Sequence, residues 1–361
     1  MKTELLEIEK NAVSRDAANS GPLFVVGMWR SGTSLLYTML NQHPRISLMY
    51  EGDLPLLWPL FLGGASKSDW MERWEFWNGA PTRHELRREK FPTHVASLHE
   101  ATEMAYRERS GDAIWGCKSP NYYDAMEQLG RDFPTARFIV IYRNPADICR
   151  SIIRAGLKES WFARSGMTLR ALLGYSEMKK AADNLAAAGM RVHVLQYEEL
   201  VSEPETVLRR ICEFLEIPFD PGMVSLENVE RSPIYEADHH GNLKAKKIRA
   251  RKSAAEEEVL PPAFRKKIAR YTNLWREKYD GAWPAYGEPD DVDASNPGWL
   301  ERFSDSLQYR WFRILDDMVM LIYCFIPLGL LRRYRDIKGH PKMSSMGSTL
   351  RRQEQTKTGA D

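Results

Sequence analysis

Residues 23–34 read Leu-Phe-Val-Val-Gly-Met-Trp-Arg-Ser-Gly-Thr-Ser. An apolar run of strand type passes through a glycine turn into a helix start, which is the local architecture of a phosphate-binding loop. Gly27 and Gly32 keep the spacing of a nucleotide P-loop, but the position after Gly32, where a triphosphate-binding loop places Lys, is Thr33, and the cation stands earlier, at Arg30. Such a loop is expected to hold a phosphate without being built for ATP. Leu35, Leu36, Met39 and Leu40 recur at helical spacing and Asn41-Gln42-His43-Pro44 ends the run. The N–H groups of residues 31–34 are then expected to point outward at a helix N-terminus, where the macrodipole also favours an anion.

Strand and helix signals alternate along the rest of the chain, so the expected fold is α/β: a P-loop-type central parallel sheet flanked by helices, with a C-terminal helical extension. The expected strands are 23–27, 112–117, 137–142 and 191–196. Thr168 is placed to cap a helix that runs to about Ala188 and stops at Gly189. Ser202 and Glu205 form a capping-box pattern ahead of Val207, Leu208, Ile211 and Leu215. Phe264, Ile268, Tyr271 and Trp275 make one face of a closing helix.

The second informative segment is Arg137-Phe-Ile-Val-Ile-Tyr142 followed by Arg143-Asn144-Pro145, with Asn144 placed as an N-cap and Pro145 at the first helical position. In a P-loop NTPase the corresponding strand commonly ends in an acid that serves Mg²⁺. Here it ends in Arg, which calls for another anion, and Ser151 in the following helix can offer a hydroxyl to the same anion.

These residues resemble the sulfotransferases that use 3′-phosphoadenosine-5′-phosphosulfate (PAPS). Arg30-Ser31-Gly32-Thr33-Ser34-Leu35 is similar to their 5′-phosphosulfate loop, and Arg143 with Ser151 to their 3′-phosphate site. Trp115-Gly-Cys-Lys118-Ser-Pro120, Tyr197-Glu-Glu-Leu200 with Pro204, and Phe214-Leu215-Glu216-Ile217 extend the likeness over about residues 22–280. The resemblance implies Tyr197 near the adenine and Lys118 at the sulfonate. Cytosolic members carry a His two residues after that Lys, but here the position is Pro120. Tyrosylprotein and some bacterial relatives instead place a Glu after a His-Pro pair, and His43-Pro44 followed by Tyr50-Glu51-Gly52-Asp53 matches that branch better. Glu51 is therefore the expected base, with Asp53 and His99 behind it. Lys244, Lys246, Lys247, Arg249 and Arg251 lie where relatives have a basic loop, although the usual Arg-Lys-Gly pattern is absent.

The chemistry implied is in-line sulfuryl transfer to a hydroxyl or amine, with PAPS as donor and no metal; His239-His240 lacks further ligands at metal-site spacing. At 361 residues and 43% hydrophobic content the chain can bury a large core, and its net charge of +2 does not suggest broad nucleic-acid binding. Cys117, Cys149, Cys212 and Cys324 are scattered as in a reduced, cytoplasmic protein, and the polar N-terminal segment 1–20 has no apolar stretch of signal or anchor type. The domain layout expected is a sulfotransferase P-loop domain at 21–280, a linker at 281–298, an apolar helical extension at 299–340 and a disordered tail at 341–361. Within the extension, Met318–Leu331 is uncharged, contains Pro327 and is flanked by Asp316-Asp317 and Arg332-Arg333-Tyr334-Arg335. It reads as a docked helix, a homo-oligomer contact or a peripheral membrane contact. The aromatic stretch 54–77 suits an amphipathic or aromatic acceptor, and the partner expected is a small-molecule, glycan or lipid-like acceptor. Two rival classes remain at this point, a P-loop small-molecule kinase and a non-catalytic nucleotide-binding scaffold.

Overall fold

The computed structural model describes residues 21–63, 69–111, 113–156, 166–226, 262–278 and 295–338. The basic stretch Lys244–Arg251, the His239-His240 pair, the N-terminal segment 1–20, most of the 281–298 linker and the 341–361 tail lie outside them.

Strands β1 (Leu23–Val26), β2 (Ile46–Tyr50), β3 (Ile114–Lys118), β4 (Arg137–Tyr142) and β5 (Arg191–Gln196) form one parallel sheet in the order β2-β3-β1-β4-β5. Side chains alternate across a strand, and β1 shows how this builds two cores. Phe24 and Val26 join the apolar cluster on one face, while Leu23 and Val25 join the other. In β4, Phe138, Val140 and Tyr142 lie with the first set and Ile139 and Ile141 with the second. A slip of one residue would exchange the faces, and since each such side chain is worth roughly 1.5–3 kcal/mol on burial, the register is strongly held.

The helices follow from this two-sided sheet. Helix α1 (Thr33–Leu40) covers one face; α2 (Trp70–Asn78), α3 (Ala80–Arg83), α4 (Leu98–Ser110), α5 (Met126–Asp132), α6 (Pro145–Gly156) and α7 (Met167–Ala187) contribute to the other; α8 (Tyr197–Ser202) and α9 (Pro204–Leu215) return to the face of α1. Helix α10 (Pro262–Lys278) closes the larger core through Ile268, Tyr271 and Trp275. Helices α11 (Trp299–Phe325) and α12 (Leu328–Lys338) form the C-terminal extension, bent by 112° at Ile326-Pro327.

Three local expectations are corrected. The four expected strands omit one: Ile46–Tyr50 is strand β2, paired with β3. Thr168 is not a cap, because α7 starts at Met167 after Gly166, whose φ of 93° turns the chain. Ser202 and Glu205 make no capping box, since α9 starts at Pro204 and Ser202 Oγ donates backward to Glu199 O at 3.3 Å, inside α8.

Strand β1 connects through α1 toward β2 and β3, while its neighbour β4 connects through α6 and α7 to β5 on the other side. The carboxyl ends of β1 and β4 therefore flank the point where the winding reverses, the place where open α/β sheets form a ligand crevice.

Candidate active site

The loop leaving β1 and the turn leaving β4 meet at that crevice. Arg30 Nε donates to Ser151 Oγ at 2.9 Å, and Arg143 Nη1 donates to Arg30 O at 2.9 Å. Two motifs that are more than a hundred residues apart in sequence thus form one cluster. Asn144 caps α6 as expected, its Oδ1 accepting from Ala146 N at 2.9 Å, which fixes Ser151 on the buried side two turns along.

Gly32 has φ of 97°, and a Cβ there would lie 2.3 Å from the Tyr197 ring, so only glycine lets the loop close on that tyrosine. Tyr197 is buried between Gly32 and the Arg143 guanidinium, whose central carbon sits 4.4 Å from the ring centroid. Its visible contribution is the position of Arg143 through a cation–π contact. Ser31 N donates to Met28 O at 3.0 Å, which removes that amide from the outward-pointing set expected for residues 31–34. The amides of Thr33, Ser34 and Leu35 stand in the first turn of α1, where a helix offers them no internal acceptor. Ser34 Oγ lies 3.1 Å from Tyr50 Oη.

The site fits an anionic nucleotide in its chemistry. Ser31 Oγ and Arg143 Nε are buried and meet no hydrogen-bond partner among the described residues, a costly condition that a phosphate oxygen would relieve at either one. Strain gathers here too: Arg30 (φ 70°), Glu51 (φ 49°) and Asp53 (φ 56°) are among the few non-glycine residues in the left-handed region, each costing about 1–3 kcal/mol.

The parallel register sets Tyr50 of β2 opposite Lys118 of β3, and Glu51 N donates to Lys118 O at 2.7 Å. The next side chain on β2's path then falls on the Lys118 ammonium: Lys118 Nζ donates to Glu51 Oε1 at 2.8 Å and lies 4.0 Å from the Tyr50 ring centroid. Lys118 is 1% exposed, whereas the Glu51 side chain keeps 25% of its surface. Burial works to raise the Glu51 pKa, but the Lys118 charge and hydrogen bond, with Arg83 further off, outweigh it and hold the carboxyl below its usual 4.5. For Lys118 burial works downward and Glu51 outweighs it, so the ammonium is held above its usual value. The pair is ionised at neutral pH.

Asp53 is placed differently. It is buried, and its Oδ2 accepts from Asn121 Nδ2 at 2.8 Å. His99 stands in the first turn of α4, where its ring packs on Phe133 and its Nδ1 lies 3.8 Å from Glu103. His43 is structural: Arg45 N donates to its Nδ1 at 3.0 Å, so its Nε2–H donates to Pro218 O at 2.8 Å. Of the aromatic stretch 54–77, Phe61, Trp70, Trp74 and Phe76 are core, which leaves Trp58 and Trp77 partly buried.

Several supporting residues carry no motif. Tyr175 Oη donates to Arg143 O at 2.7 Å and accepts from Arg143 N at 3.1 Å. Glu198 Oε1 accepts from Asn144 N at 3.1 Å, and burial pushes its carboxyl up. Helix α2 holds the Glu51–Gly52 backbone: Asn78 Nδ2 donates to Glu51 O and Gly52 O, each at 2.9 Å, and Trp74 Nε1 also donates to Gly52 O. The only sequence signal among these was Glu198, inside the Tyr-Glu-Glu-Leu run.

Among the described residues no group of three or more His, Cys, Asp or Glu could hold a metal ion. The model of the sulfotransferase family matches residues 22–221. Protein-tyrosine sulfotransferase A of Caenorhabditis elegans is 26% identical over 221 residues, 58% of this chain and 56% of that protein. Protein-tyrosine sulfotransferase 1 of Danio rerio is 29% identical over 235 residues, covering 58% and 60%. The chain thus matches under two thirds of the length of these two relatives. Among solved structures, the sulfotransferase domain from the curacin biosynthetic pathway aligns with 73% of this chain and 99% of its own, at 18% identity and a TM-score of 0.48.

Proposed function

Because the chain belongs to the sulfotransferase family, we propose that it moves a sulfuryl group from PAPS to a hydroxyl or amine of an acceptor. The observation that carries the reading is the convergence of Arg30, Ser151 and Arg143 at the reversal of the sheet. Two phosphate motifs joined in one cluster suit a nucleotide with phosphates at both ends of its ribose. In this reading Arg30, Ser31, Gly32, Thr33 and Ser34 hold the 5′-phosphosulfate, and Arg143 and Ser151 hold the 3′-phosphate, with Tyr197 fixing Arg143.

Bound PAPS supplies an activated sulfuryl group and a bisphosphate leaving group. The acceptor oxygen or nitrogen bonds to sulfur as the bond from sulfur to the 5′-phosphate oxygen breaks, and the bonding pair leaves on that oxygen. Arg30 and Lys118 face the growing negative charge, where fixed cations in a dry site are most effective. Glu51 is the base: it is ionised, reachable and held beside Lys118, and it takes the acceptor's proton. Asp53, buried and bound to Asn121, orders the loop instead. Sulfuryl transfer of this kind needs no divalent metal, so EDTA should leave turnover unchanged.

The catalytic unit in this proposal is residues 21–280, joined by 281–298 to the extension at 299–340. Buried Cys117, Cys149, Cys212 and Cys324, none of them in a disulfide, suit a cytoplasmic setting. The test is transfer of ³⁵S from labelled PAPS to a panel of phenols, hydroxylated glycans, amphipathic alcohols and tyrosine-containing peptides. The peptides are included because the matched relatives are protein-tyrosine sulfotransferases. Labelled product from any class supports the reading, and none from all classes, with γ-labelled ATP consumed instead, overturns it.

A further inference from the structure

Helix α11 carries an apolar face that is exposed among the described residues. Leu300, Phe303, Leu307, Trp311, Ile314 and Met318 are each 49–63% exposed and fall within an arc of roughly 100° at 3.6 residues per turn. Ser304 is the polar exception inside that arc. Soluble proteins rarely leave so long an apolar strip facing water. Toward the elbow the face broadens, since exposed Leu315, Val319 and Ile322 widen it to roughly 160°.

That width argues for a lipid surface over a second helix. A facing helix covers the narrow seam of a two-stranded pair, and it would leave Leu315 and Val319 in water. The charges argue the same way. Three acids of α11 are neutralised by the body of the protein: Glu301 with Arg270 at 2.6 Å, Asp305 with Lys267 at 2.6 Å, and Asp316 with Arg170. Asp317 is the one acid of this helix outside these pairs. Arg302, Arg310, Arg332 and Arg333 remain exposed, the third of them paired with Glu72. No charge occurs from Met318 to Leu331, across the bend, and Arg332-Arg333-Tyr334 then supplies a basic and aromatic collar. Among the described residues no single helix is long and apolar enough to cross a membrane; α11 and α12 reach that length and composition only as a pair bent by 112°, a geometry that suits an elbow lying on or dipping into one leaflet.

We propose that the α11–α12 elbow docks this protein on an anionic bilayer, with the α11 face and the elbow tip among the acyl chains and the arginine collar at the headgroups. Helix α2 links this surface to the site. Arg73 donates to Tyr323 O and Ile326 O, each at 2.9 Å, Glu72 accepts from Arg332, and Trp77 packs on Tyr323, while Trp74 and Asn78 of the same helix hold the backbone of Glu51 and Gly52.

The test uses the full chain and sedimentation with large unilamellar vesicles of phosphatidylcholine alone or with about one third phosphatidylglycerol. The wild type should pellet with the anionic vesicles, and much less with the neutral ones. Ile314→Glu with Ile322→Glu, both at exposed positions, should weaken that partition at least tenfold while circular dichroism shows an unchanged melt. Sedimentation velocity without lipid should give a monomer for both. Absence of vesicle binding by the wild type overturns the proposal, as does equal binding by the double variant. A wild-type dimer that the double variant dissociates would assign the face to a second copy instead. None of these readouts depends on sulfuryl transfer, so the docking proposal stands or falls separately from the catalytic one.

Discussion

Replacing Glu51 by Gln removes one charge from the pair at the end of β2 and leaves its shape in place. The amide oxygen can still accept from Lys118 Nζ, so the 2.8 Å contact has a route to survive, but the buried ammonium loses its counter-charge. Breaking a fully buried ion pair costs about 3–5 kcal/mol. Because the Glu51 side chain keeps 25% exposure, solvent screens part of this, and a loss of about 1–2 kcal/mol of stability is expected. The effect on chemistry should be larger. A lost general base lowers turnover roughly 10²–10⁴-fold, equivalent to about 3–5 kcal/mol of barrier. The assay is single-turnover ³⁵S transfer from PAPS with the best acceptor of the panel, beside calorimetric binding of adenosine 3′,5′-bisphosphate, which should be nearly unchanged. Asp53→Asn should cost far less turnover, because that residue is 2% exposed and one of its carboxylate oxygens is held by Asn121. Near-normal turnover by Glu51→Gln on a good acceptor would refute the assignment and move the search to Asp53, then to His99.

The remaining predictions concern pH and the helix that links the site to the elbow. Glu51 has a depressed folded pKa, so its contribution to stability is present above the ordinary value near 4.5 and is lost as pH falls through the lower folded value. Lys118, raised, contributes below its ordinary 10.5 and loses that contribution as pH climbs through the folded value, so Glu51→Gln should flatten the acid limb of thermal stability through the lost carboxylate and the alkaline limb through Lys118. Asp124 runs oppositely: burial pushes it up to about 6, so stability should decline as pH rises from about 4 to 6, and Asp124→Asn should remove that decline in melts across this range. Arg73→Met strips Tyr323 O and Ile326 O of their donor and leaves Asp69 unpaired, which should cost about 3 kcal/mol and speed proteolysis near the elbow in limited digestion.

What could be read from the sequence divides along physical lines. Strands β1, β3 and β4 were visible as nearly continuous apolar runs and β5 by its alternation of Val192 and Val194 with polar residues, each bounded by turn residues. Strand β2 was not, because Ser47 interrupts its apolar run and it starts two residues after Pro44, in what reads as the exit from α1. The cost of missing it was mechanistic. Only the β2–β3 register explains why Glu51 and Lys118, 67 residues apart, touch. Arg30, Arg143 and Lys118 could be placed at the crevice without knowing their neighbours because they stand at or just beyond strand ends, and Ser151 because its helix starts at the turn that Arg143 opens. Tyr50, Asn78, Asn121, Tyr175 and Glu198 were illegible, since each acts through a tertiary hydrogen bond or ring contact that no local pattern encodes. The two failed caps share a cause: Gly166 supplies the turn by its own backbone, and Pro204 starts its helix before the Ser202 hydroxyl can reach an amide. The aromatic stretch misled in the usual direction, because large rings such as Trp70 and Trp74 are worth most when buried.

The central claim is that Arg143 and Ser151 complete a site for a nucleotide phosphorylated at both ends of its ribose. Isothermal calorimetry of the full chain with adenosine 3′,5′-bisphosphate and with 5′-AMP, each with and without Mg²⁺, tests it directly. A charge-assisted hydrogen bond is worth roughly 1.5–3 kcal/mol, so the bisphosphate should bind about 10–150-fold more tightly, without need of the metal, and Arg143→Ala should erase most of that margin. Equal affinities for the two nucleotides, or a margin that survives Arg143→Ala, would contradict the account.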